Sequence, residues 1–301
     1  MELNNAPDCG GADPALDAAR RYSRYVRMVL EAEPQMGLDS GCGQPFSAGE
    51  MESFLAAHPA ADEAALQRAL RMLRKRVMLR LIARDIGGLA DLAEVIITAT
   101  ALAETTLCSA LSHLSRWHAE PHGRPIGAVS GAVQQLHVIG MGKLGGRELN
   151  VSSDIDLVFL YPEDGETGGL ACSGARSVSN HEYFTRAGRR VIALLAEPTA
   201  DGIVFRVDMR LRPNGDSGPL VSSYAALETY LITQGREWER YAWIKARPIT
   251  GAAGHHAGLE AIRRPFVYRK YLDFASLAAM RQLHAEVRRE VARRELADHI
   301  K

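Results

Sequence analysis

Apolar residues recur at three- and four-residue steps from Asp62 to Arg84, at Leu66, Leu70, Leu73, Val77 and Leu81, and Gly87-Gly88 follows. That spacing predicts an amphipathic helix stopped by the glycines. The next stretch repeats the scheme with Leu92, Val95, Ile96, Ala99, Leu102 and Ala103, then Leu107, Leu111 and Leu114, and predicts more helix. Residues 31–49 carry Pro34, Gly37, Gly41, Gly43 and Pro45, which predicts a loop between shorter helices.

The period changes near Arg124. His122 to Gly131 is rich in glycine and proline and reads as a connector. Leu136 to Ile139 and Ile155 to Tyr161 are short β-rich runs bounded by turn residues. Pro162 to Ser179 reads as a Gly/Ser-rich loop long enough for a flap. Phe184, Ala187, Val191, Leu194 and Leu195 then predict a helix face, with Asn180 as cap and Pro198 as stop. Ile203 to Pro213 predicts a third strand. Phe205, Val207, Met209 and Leu211 fall on one face of it; Arg206, Asp208, Arg210 and Arg212 fall on the other. Beyond Tyr224 the pattern is helical again, with a charged amphipathic segment on Leu277, Met280, Leu283, Val287 and Val291.

Composition narrows the class. The 301 residues are 47% hydrophobic and 24% charged, a balance that supplies ample core for one large or two ordinary domains. A net charge of +0 gives no global pull toward nucleic acid or a membrane surface, so neither is expected as a partner. Cys9, Cys42, Cys108 and Cys172 lack metal-ligand spacing, which argues against zinc and for a reducing, cytoplasmic setting. The N-terminal residues lack the layout of a signal peptide, and no apolar run reads as a membrane span.

The chemistry is concentrated in Gly140 to Tyr161, GMGKLGGRELNVSSDIDLVFLY. Its first six residues fit the dinucleotide fingerprint GxGxxG. Only Gly146 to Ser153 separates that turn from the next strand, too little for a crossover helix, so a Rossmann unit is rejected. A Walker loop fails too, because Leu144 follows Lys143 where a hydroxyl is needed. Asp154 and Asp156 share a strand face, a pair that alone reads as solvated strand-end charge. Adding Asp208 makes a cluster of three carboxylates that repel one another unless a cation such as Mg2+ lies between them. Arg210 and Arg212 flank Asp208 and suit phosphate oxygens. Lys245 and Arg247 fit phosphate contact and ordinary surface charge equally. Trp238, Tyr241 and Trp243 read as packing residues, and the basic helix Arg68 to Arg84 as a solvated face.

A glycine turn, then D-x-D on a strand, then a third acid on a later strand resembles the DNA-polymerase-β-like nucleotidyltransferases. More closely, GMGKLGGRELNVSSDIDLVF, RVDMRLRPNGDSGPLV and GREWERYAWIKARPI resemble the family of bifunctional glutamine synthetase adenylyltransferase/adenylyl-removing enzymes. These blocks run from Gly140 to Ile249. The run Asp216-Ser217-Gly218-Pro219 and the run Gly235 to Tyr241 are similar to the adenylyl-removing copy of that family. The resemblance implies release of AMP from a synthetase tyrosine by phosphorolysis, giving ADP. Asp154, Asp156 and Asp208 would be the catalytic, magnesium-holding acids. Gly142, Lys143, Gly145, Gly146, Ser153, Arg210, Arg212, Lys245 and Arg247 would meet nucleotide or phosphate. It implies glutamine synthetase as protein substrate, inorganic phosphate and ADP or ATP as small ligands, and a PII-type signal protein as a partner of the longer family members. Adenylylation from ATP, or a non-catalytic docking module, are the competing readings.

The expected fold is α+β: a polymerase-β-like core of mixed sheet and helices over 124–250, a helical region over 1–123, and a helical segment over 251–301. Family members are much longer than this chain, so it is expected to be a fragment lacking the adenylylating copy.

Overall fold

The computed structural model describes residues 13–38, 41–168, 177–251 and 256–268, with scattered positions between 278 and 293. The amphipathic positions Leu277, Met280, Leu283, Val287 and Val291 lie outside the described residues. The chain forms two compact units, each assembled from separate stretches. One takes residues 1–110, 147–154 and 192–206; the other takes 111–146, 155–191 and 207–301.

The first unit is helical. Its long helix, Glu63–Ile86, starts where Asp62 accepts a bond from the Ala65 amide and ends at Gly87. Ala15, Ala19, Val26 and Val29 from the preceding helices pack against Leu79 and Ala83 of this one. Gly87 permits the contact, because a Cβ there would lie 2.7 Å from that of Ala15. The loop expected over residues 31–49 contains a short helix, Gln35–Leu38.

The basic face of this helix is solvated only in part, Arg68 being exposed. Arg71, Arg80 and Arg84 are buried, Arg71 to 1% exposure. Arg71 donates to the carbonyls of Gln67, Leu194, Glu197 and Gly202, at 2.5–3.1 Å. Arg80 pairs with Glu50 and lies over the Phe46 ring. Arg84 grips Glu94 with two nitrogens and reaches the carbonyls of Cys42 and Leu89. A buried guanidinium persists only when its donors are used, and here partners supplied by distant parts of the sequence do so.

A single helix of 31 residues spans Leu92–His122. Contrary to the sequence expectation, its first 28 residues, Leu92–Ala119, are long and apolar enough to cross a membrane. Just over half of its most apolar window is buried inside the protein, and Ala99, Leu102, Ala103 and Leu107 are fully enclosed, so the row serves as core.

The second unit holds the sheets. Strands β1 (Arg124–Gly127), β2 (His137–Gly140), β3 (Ile155–Tyr161), β4 (Gly165–Gly168), β5 (Val207–Asp208), β6 (Val221–Ser223) and β7 (Arg247–Pro248) appear in chain order. β1 and β4 form an antiparallel pair, so the expected connector and the expected flap each contain a strand. The main sheet runs β5-β3-β2-β7, with β6 also on β3. β2 is antiparallel to β3 and β7, whereas β5 and β6 are parallel to β3 at its two ends. This mixed sheet, with helices packed on it, is the expected α+β nucleotidyltransferase core.

β3 is buried along nearly its whole length, which is why its sequence is a continuous apolar run. Ile139, Val158 and Leu160 join Leu227, Leu231, Trp243 and Leu259 in one core. Helix Asn180–Ala196 approaches β3 through Gly188, where a Cβ would lie 2.9 Å from the Phe159 ring. Its cap is Ser179, which accepts the Glu182 amide. Asn180, expected as the cap, instead donates its amide to the carbonyls of Ile126 and Glu163.

The strand expected over Ile203 to Pro213 shrinks to the two residues of β5. Asp208 ends it by accepting the Arg210 amide at 2.9 Å, a side-chain turn that draws the backbone away from β3. The amides of Arg212 and Gly215 then close further turns.

Candidate active site

The site begins at the β2–β3 hairpin. β2 ends at Gly140, and Met141 donates its amide to the Asp156 carbonyl at 2.9 Å, locking the turn onto β3. Gly142 follows with φ +51°, and a Cβ there would lie 2.6 Å from Asp156 Oδ2. Both facts require glycine: the backbone is left-handed and the carboxylate fills the side-chain space. Gly142–Gly145 then make one helical turn. The Gly145 and Gly146 amides are used inside that turn, on the carbonyls of Met141 and Gly142. Lys143 is exposed and Gly146 partly so.

Across β3, Asp156 pairs directly with Asp208 in the parallel register of β5. Residues in register on neighbouring strands project to the same face, so two carboxylates stand side by side. Such a pair repels itself in any environment drier than bulk water. Part of that charge is met by Arg210. Its Nε lies 3.0 Å and 2.8 Å from the two Asp208 oxygens, and Nη2 lies 2.5 Å from Oδ2. The side-chain hydrogen bond from Arg210 holds the Asp208 carboxyl below its ordinary value, against the opposing effect of partial burial. Asp208 is 18% exposed while Arg210 is 74% exposed, a sheltered acid held by a solvent-facing cation.

The other expected residues divide. Asp154, half exposed, is ion-paired by Arg206 Nε, and Arg206 also donates to the Ser152 carbonyl. Arg206 was not among the expected site residues; its signal was its place in the alternating RVDMRLR row. Ser153 closes a turn with Asn150, its hydroxyl 2.8 Å from Asn150 Oδ1. Arg212 is turned inward, with Nη1 on the Met209 carbonyl at 2.8 Å and Asp216 at 3.3 Å. Its Nε is buried with no hydrogen-bond partner among the described residues. Lys245 is exposed at the end of helix Glu237–Ile244. Arg247 lies on the carbonyls of Leu144 and Gly145 at 3.0 and 3.1 Å. Trp243 is core, whereas Trp238 and Tyr241 are partly exposed.

The donor set at Asp156 and Asp208 consists of carboxylate oxygens, which suits a hard cation such as Mg2+. Among the described residues, no group of three His, Cys, Asp or Glu side chains is gathered as a metal cage. Asp156 and Asp208 stand in register on β3 and β5, and Asp154 is ion-paired by Arg206.

Residues 18–262 match the family model described as Glutamate-ammonia ligase adenylyltransferase. Similar proteins named "Bifunctional glutamine synthetase adenylyltransferase/adenylyl-removing enzyme" occur in Chromobacterium violaceum, 57% identical over 95% of this chain, and in Nitrosomonas europaea, 57% identical over 93%. One from Neisseria meningitidis is 45% identical over 96%. The chain spans 30–32% of the length of these relatives.

Proposed function

This chain belongs to the glutamate–ammonia ligase adenylyltransferase family, and from that membership we propose that its core removes AMP from the adenylylated tyrosine of glutamine synthetase by phosphorolysis. The observation that carries the reading is the in-register pairing of Asp156 with Asp208 beside a left-handed glycine. The runs Asp216 to Pro219 and Gly235 to Tyr241 support the removing direction over the attaching one.

In the proposed reaction an oxygen of inorganic phosphate forms a bond to the AMP phosphorus as the bond from phosphorus to the tyrosine oxygen breaks. ADP is released, and the tyrosine oxygen takes a proton. A phenol with a pKa near 10 leaves readily once its developing charge is met. Asp156 and Asp208 would hold magnesium, which when bound would supply charge neutralisation at the reacting phosphoryl group.

The remaining work falls to positioning. Arg210 is long, exposed and tethered beside Asp208, so it can exchange its carboxylate partner for a phosphate oxygen. Arg212 carries a buried N–H without an acceptor among the described residues, a state that costs about 1–3 kcal/mol, so the side chain gains by turning outward to a phosphate oxygen. Lys143, exposed on the glycine turn, would add a point charge. Holding two anions against each other in line is the main contribution this site makes.

Two assays run in parallel test the direction. AMP-modified synthetase with phosphate and magnesium should release ADP; unmodified synthetase with ATP should gain no AMP. The opposite pattern would assign the core to adenylylation, and binding without turnover in either would assign it to docking.

A further inference from the structure

We propose that Arg247 is a positioning residue that sets the distance between the glycine turn and Asp156, and that it makes no contact with phosphate. The inference rests on the reaction assigned above, but its structural half can be tested without turnover.

β7 pairs with β2 so that Arg247 lies opposite Gly140, the residue from which the turn departs. From there its guanidinium reaches under the turn, with Nε on the Gly145 carbonyl and Nη2 on that of Leu144. These are the last carbonyls of the Gly142–Gly145 helical turn, where a short helix most needs outside donors. A planar fork matches two neighbouring carbonyls; an ammonium is a point charge that cannot reproduce both bonds in the same geometry.

The segment carrying Arg247 also presses on the turn from below. A Cβ on Gly145 would lie 2.0 Å from the Lys245 carbonyl oxygen. At its other end the turn meets the carboxylate of Asp156 at Gly142. Four residues thus bridge Asp156 and the segment leading into β7, in close contact at both ends. A guanidinium committed to two carbonyls beneath the turn is poorly placed to grip a substrate anion, so both ordinary readings of this arginine, phosphate contact and surface charge, give way to a mechanical one.

The test compares the 301-residue chain with Arg247→Gln and Arg247→Lys by hydrogen–deuterium exchange, and then by ADP release over a range of phosphate concentrations. Peptides covering residues 140–147 should exchange about tenfold faster or more in Arg247→Gln, and to an intermediate degree in Arg247→Lys. Peptides covering helix Tyr224–Thr233 should be unchanged in both. Turnover at saturating phosphate should fall by about ten- to a hundredfold with Arg247→Gln, as expected for a misplaced reacting group. Unchanged exchange at residues 140–147, together with a rise in KM for phosphate alone, would make Arg247 a phosphate ligand and overturn the proposal. If Arg247→Gln does not fold, Arg247→Lys carries the exchange comparison by itself. An unmodified protein that releases no ADP would sink the assigned reaction while leaving the exchange result to decide the role of Arg247.

Discussion

Asp156 and Asp208 face the same way from adjacent parallel strands, opposite one another in register, although 52 positions separate them in the chain. Asp208 caps the turn after β5 and holds Arg210, whereas Asp156 beside it adds a second negative charge on the same face. Replacing Asp156 with asparagine should therefore relieve repulsion and leave the melting temperature unchanged or slightly higher, whereas Asp208→Asn also gives up the Arg210 ion pair and should lower it somewhat. ADP release should nevertheless fall by about a hundredfold or more, because charge neutralisation at phosphoryl oxygens is worth several kcal/mol. Thermal melts alongside turnover of Asp156→Asn and Asp208→Asn check both halves. An Asp156→Asn variant that loses stability and activity together would mark that carboxylate as structural.

The two ends of the glycine turn should respond differently to alanine. Gly142→Ala places a methyl 2.6 Å from a carboxylate oxygen, at φ +51°, and left-handed strain of this kind costs about 1–3 kcal/mol. The carboxylate can rotate away, so folding should survive while activity suffers. Gly145→Ala drives a methyl to 2.0 Å from the Lys245 backbone oxygen, which has no rotor to turn. It should be the more destabilising of the two in urea melts. Equal losses would show that the turn tolerates displacement as a whole.

Much of this site was legible in the sequence, and the reasons it was legible are local. β2 and β3 emerged within a residue of their limits because a buried central strand is an unbroken apolar run between turn residues. Asp62 and Gly87 marked the ends of the long helix through capping chemistry. The glycine spacing pointed to the turn, and the short gap after it correctly excluded a crossover. What the sequence hid was non-local. β1 and β4 are made of residues that read as connector and flap, and only their mutual pairing makes them strands. The alternation after Ile203 promised a long strand, but the Asp208 side chain captures the Arg210 amide and turns the chain. The buried arginines were invisible because a charged residue gives no hint that distant carbonyls will enclose it.

Arg210 should confer a stability increment that depends on pH in a definite direction. Its hydrogen bonds depress the folded-state value of the Asp208 carboxyl below that of the unfolded chain. Such a group contributes fully above its unfolded value, near 3.9, and the contribution disappears as pH falls through the folded value. Urea melts of the unaltered protein and Arg210→Gln should thus differ most at neutral pH and converge in acid. A difference that widens on acidification would contradict the assignment of this ion pair.

Arg71 should be the most sensitive arginine of the helical unit. Hydrogen bonds from charged groups contribute about 1.5–3 kcal/mol each, and Arg71→Met would remove those to the carbonyls of Leu194, Glu197 and Gly202. A loss of about 3 kcal/mol or more by chemical denaturation is expected, since these bonds go at once and the buried Leu194 carbonyl loses this donor. A loss within the range of ordinary surface substitutions would mean that water replaces the guanidinium.

The central claim is that inorganic phosphate is the nucleophile at a core built around Asp156 and Asp208. Oxygen-18-labelled phosphate, supplied with magnesium and AMP-modified glutamine synthetase, puts that claim to the most direct measurement. Mass spectrometry should find the label in the β-phosphate of ADP with the unaltered protein, and no labelled ADP above background with Asp208→Asn. Release of unlabelled AMP, or labelled ADP undiminished by the substitution, would contradict it.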